Sequence, residues 1–184
     1  MKPVILFFLL CLMLPVFLVV QDLLPALPPA RERLQLFPVL FCFGVLALPL
    51  TSALCFALIA SLMQGLELLQ FQSGHAETGV APYIVFFLCW TVILQMASEA
   101  THGLRWELHA LASALVTFTM LGGEYLLICA KRGGLPLDSV LLMRMAVPCG
   151  ISLLLAPLLY FLMRHLVPLS SEGAVLKNQA SFDL

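Results

Sequence analysis

Charge is what this chain has least of. Nine Lys and Arg and ten Asp and Glu stand in 184 residues, 10% of the sequence, where a soluble domain carries about a quarter. With 62% apolar residues and a mean hydropathy of +1.07, no single soluble core of this length would hide the apolar surface. A net charge of −1 and a pI near 6.4 give no basic surface and hence no reason to expect nucleic acid as a partner. Catalytic signatures are missing too. There is no Gly-x-Ser-x-Gly, no His-Glu-x-x-His and no Walker motif, so the residues offer no nucleophile with its base and imply no cofactor. The six cysteines, at 11, 42, 55, 89, 129 and 149, fall in apolar runs without a Cys-x-x-Cys. They read as small buried hydrophobes, not as a disulfide framework or a zinc site.

What the chain has instead is long uncharged runs. Residues 3–21, 78–98 and 145–163 carry no formal charge, and each is near the roughly 20 residues that cross about 30 Å of hydrocarbon as a helix. This composition belongs to an integral membrane protein. The apolar core VILFFLLCLMLPVFLVV behind Lys2 is longer than the roughly 7 to 15 residues of a secretory signal, and PALPPA is a poor cleavage site, so the N-terminus reads as a retained first helix.

Residues 34–66 lack any formal charge and as one helix would reach roughly 50 Å, too long for one crossing. The break belongs at Leu48-Pro49-Leu50-Thr51, because proline removes an N–H and disfavours helical geometry in the residue before it. Two short helices follow, over 34–48 and 50–70. QSGHAETG reads as a polar loop, 81–100 as a fourth helix, HGLRWE as a connection, 108–130 as a fifth helix, KRGGLPLD as a turn and 139–165 as a sixth. The expectation is an all-α, multi-pass membrane protein with six transmembrane helices, or five if the second and third do not both cross. It forms a single helical domain over 1–167 with a polar, disordered tail over 168–184. Lys and Arg are nearly balanced between the two faces, so charge does not orient the chain.

Within TSALCFALIASLMQGLE, small residues recur at Ala53, Ala57, Ser61 and Gly65 while Cys55, Ile59, Met63 and Leu66 point the other way. Such a face lets helix backbones approach closely in lipid. Gln64 and Glu67 project beside it; Glu67 either marks the headgroup boundary or meets a partner in the bundle. Further intramembrane polar residues that could form a pocket or a partner contact are Gln95, Glu99, Glu124 and Arg144. Glu99 and His102 have the Glu-x-x-His spacing of di-metal bundles, but those sites need a second such pair and two more carboxylates. The two residues therefore read as a helix end at water, and no metal site is expected. Glu124, after Gly122 and Gly123, suits an ion pair with Arg144 across the last hairpin, or the two are separate interfacial charges.

The order of elements resembles the MreD family of bacterial rod-shape-determining membrane proteins. The resemblance is carried by a signal-anchor-like first helix, a short second helix in LQLFPVLFCFGVLALP, a third ending in QGLELLQ and a last helix ending in APLLYFLMRHL. It implies a non-enzymatic, multi-pass subunit of the cell-elongation machinery in the bacterial cytoplasmic (inner) membrane. Its implied partners are membrane lipid, an MreC-like periplasmic scaffold, an actin-like filament protein and peptidoglycan synthases. An alternative of the same size is the substrate-binding membrane subunit of an energy-coupling-factor vitamin transporter, which would enclose a ligand pocket lined by several convergent polar residues.

Overall fold

The computed structural model describes residues 3–25, 34–67, 71–72, 75–76, 80–101, 106–132 and 139–166. Six helices run in chain order: α1 (Pro3–Leu23), α2 (Phe37–Ala47), α3 (Leu50–Glu67), α4 (Ala81–Ala100), α5 (Trp106–Arg132) and α6 (Ser139–Leu166). Between α3 and α4, the two-residue strands β1 (Phe71–Gln72) and β2 (His75–Ala76) pair antiparallel, so part of the expected polar loop is a small hairpin. Among the described residues, five helices are long and apolar enough to cross a membrane; α2 is the short one. The expected tail over 168–184, most of the KRGGLPLD turn, and His102 lie outside the described residues.

Prolines decide the length of α2. Pro38 stands in its first turn, where the missing N–H costs nothing, and Leu48 adopts φ −99° and ψ 152°, the extended geometry that a following proline imposes. The result is 11 residues, about 16 Å of helix against about 30 Å of hydrocarbon. The residues from Phe37 to Leu46 are all buried. α2 packs against each of the other five helices and is the axis of the fold. Phe41 stacks on Phe56 of α3 with ring centres 6.3 Å apart and meets Phe87 of α4 edge-on at 4.6 Å. On the other side Phe43 meets His109 of α5 at 5.9 Å and Tyr160 of α6 at 6.4 Å.

A short helix buried in a membrane bundle has backbone groups at both ends that water cannot reach, and each must find an internal partner. Neighbouring side chains supply several of these partners. Gln21 Oε1, near the end of α1, accepts from Leu36 N at 3.0 Å and Phe37 N at 3.2 Å. At the other end Gln95 Nε2 of α4 donates to Val45 O and, at 2.9 Å, to Leu48 O. His109 Nε2 donates to Val39 O at 3.0 Å, and Ser152 Oγ of α6 donates to Gln35 O at 3.4 Å. The hydroxyls of Thr91, Ser113 and Thr117 bond back to carbonyls four residues earlier in their own helices, which hides them from lipid.

Candidate functional site

The small-residue face of α3 is spent inside the chain. Ala53, Ala57, Ser61 and Gly65 are all buried, while Cys55 and Leu66 are exposed on the opposite side. A Cβ at Gly65 would lie 2.8 Å from Val80 Cγ1, so the end of α3 touches the start of α4 where only glycine leaves room.

Gln64 has no solvent exposure, and among the described residues neither its Oε1 nor its Nε2 has a hydrogen-bond partner. Its direction follows from helix geometry. At about 100° per residue it lies between the Phe56 face, packed on α2, and the Gly65 face, packed on α4. One turn further on, half-buried Glu67 ends the helix.

Across the seam, Tyr83 of α4 donates its hydroxyl to Glu124 Oε1 of α5 at 3.2 Å. Around this pair α4 and α5 touch only sparsely. They leave a cleft of about 270 Å³ lined by Tyr83, Phe86, Met120, Gly123, Glu124 and Leu127. A side chain added at Gly123 would meet nothing within 4 Å, which marks the open wall of the cleft. A Cβ at Gly122 would lie 3.0 Å from Met145 Cε of α6, and Arg144, exposed on α6, precedes that contact by one residue.

The six polar residues singled out from sequence therefore divide. Gln64, Glu67, Glu124 and Arg144 come to one end of the bundle. Gln95 lies toward the other end and is committed to the carbonyls of α2; Glu99 is exposed at the end of α4. Sequence reasoning passed over Tyr83 and Gln21, and weighed His109 only as a residue that a metal site could recruit. Tyr83 had a signal, a tyrosine in the first turn after Pro82 where tyrosine favours the membrane interface. Gln21 and His109 had none, because what they bond is the backbone of a distant helix.

Among the described residues no group of three or more His, Cys, Asp or Glu is arranged to hold a metal. Comparison of the chain with protein-family models, with curated proteins and with solved structures finds no match. The fold and composition define a multi-pass α-helical membrane protein.

Proposed function

We propose that this protein is a non-enzymatic subunit of a bacterial cell-elongation complex. It sits in the cytoplasmic membrane and helps join an actin-like filament protein to an MreC-like periplasmic scaffold and peptidoglycan synthases. The observation that favours this reading over vitamin capture is the solid centre of the bundle. A substrate-binding transporter subunit needs a chamber among its helices, and here α2 fills that place with Phe37, Phe41 and Phe43, all without solvent exposure. A filled, internally capped core suits a rigid body that works through its outer surface. Depletion in the native host, combined with affinity purification from crosslinked membranes, tests the assignment. The expected outcome is loss of rod shape, with a coiled-coil periplasmic protein among the crosslinked partners. Unchanged cell shape together with recovery of ATPase subunits would reverse the assignment in favour of the transporter.

A further inference from the structure

The buried glutamines of the bundle are not alike. Gln21 is committed to Leu36 N and Phe37 N, and Gln95 to Val45 O and Leu48 O. Gln64 has no solvent exposure, yet among the described residues neither its Oε1 nor its Nε2 has a partner. A primary amide brings two N–H donors and an oxygen with two lone pairs, and leaving them unmatched inside a lipid-embedded core is costly. The helix shows where the amide lies. Ala57 and Ala60 precede it by about two turns and one turn, on nearly the same strip of α3, and a helical side chain leans back over the turn before it. Ser61 stands beside that strip, three residues earlier, and all three are without solvent exposure. Ala57 and Ala60 bring only a methyl group each, so Gln64 is the one long side chain there. Ser61 Oγ donates to Leu58 O at 2.8 Å, which leaves the lone pairs of the hydroxyl to accept. Gln64 comes three residues before the end of α3, about 5 Å along the axis, so the strip starts close to one face of the membrane.

We infer that ordered water is bound on this strip, accepting from Gln64 Nε2 and donating to Gln64 Oε1 and Ser61 Oγ. The chemistry selects water among ligands. A donor and an acceptor on one amide call for a ligand that is both, and a buried water makes about three hydrogen bonds of both kinds. A metal cation suits the amide oxygen but is repelled by the Nε2 hydrogens, and a hard cation takes about six oxygens. Among the described residues no group of His, Cys, Asp or Glu is arranged to hold one. A partner chain has no access, because Gln64 is enclosed. Water is also the smallest molecule that bonds both ways. The end of α3 is then a hydrated site inside the bundle, between the Phe56 face packed on α2 and the Gly65 face packed on α4.

The test uses the full chain, isotope-labelled at glutamine nitrogen, in lipid bilayers, and follows solid-state NMR transfer of polarisation from water protons to side-chain amides. Gln95 is the internal standard, because it is buried and its Nε2 is committed to two carbonyls. The Gln64 amide, identified by its loss in Gln64→Met, is expected to gain polarisation from water several-fold faster than Gln95. A Gln64 signal no faster than that of Gln95 would overturn the inference. Thermal unfolding of Gln64→Met gives an independent reading, since methionine keeps the length of the side chain and removes both polar atoms. Where water already satisfies the amide, Tm should stay within about 3 °C of the wild type, the scale of a small stability change in a chain of this length. A larger rise would reveal an amide stranded without any partner, and a larger fall would reveal one held by another part of the protein; either result rejects water as the ligand.

Discussion

Gly44 sits on the α2 face against Phe56 of α3, and one methyl group there meets an aromatic ring that is already packed. A Cβ at Gly44 would stand 2.8 Å from Phe56 Cζ, and Phe56 is fully buried and stacked on Phe41. Gly44→Ala should therefore cost about 1–3 kcal/mol, the range for overpacked cores, read as a clear fall in Tm in detergent. Gly150, in α6, is the control, because an added Cβ there meets nothing within 4 Å. Gly150→Ala should hold Tm or raise it slightly, since alanine is the better helix former. Equal falls at both positions would show that the Phe56 contact does not set Gly44 apart. Gln95 makes a second case. Gln95→Leu fills similar space but strands the carbonyls of Val45 and Leu48, and buried unsatisfied acceptors cost about 1–3 kcal/mol. Thermal unfolding that matches the wild type would mean that another group takes over those carbonyls.

At the scale of elements, α3 is a helix with two unlike faces. Ala57 is fully buried and Ile59 only half-buried. Ala57→Leu should sharply reduce the yield of folded protein in membranes, because added bulk forces packed helices apart. Ile59→Leu conserves volume on the outer side and should be tolerated. Folded yield after detergent extraction, followed by size-exclusion profile, separates the two. Matching profiles for both variants would show that the close approach seen at Gly65 does not extend down the helix to Ala57.

For the whole molecule, the contacts alternate in direction. The end of α1 reaches the start of α2 through Gln21. Phe41 and Gly44 both meet Phe56, so α3 folds back along α2. Gly65 meets Val80, Tyr83 meets Glu124, and Thr117 meets Ser152. Six alternating helices bring the start of α1 and the end of α6 to one face of the bundle, whether the α2–α3 pair crosses fully or turns within the bilayer. Reporter fusions at the two termini should give the same side, and a reporter inserted at position 74 the other. Opposite signals from the termini would mean that one helix lies outside the bundle in the membrane.

The membrane itself was legible from residues alone, because a chain with 62% apolar residues has only one solvent in which its surface is stable. The division of 34–66 at Pro49 and the buried face Ala53, Ala57, Ser61 and Gly65 were equally legible, since proline geometry and helical period act locally. Which polar residues serve structure and which gather into a site was decided only by the tertiary fold. Gln64 and Gln95 are the same amide in similar apolar runs, and their sequence contexts do not separate them. Gln95 happens to face the open carbonyls at the end of α2, while Gln64 faces a seam that offers it no partner among the described residues. The physical reason is that a hydrogen bond depends on position within a few tenths of an ångström, and that position is set by helices distant in sequence.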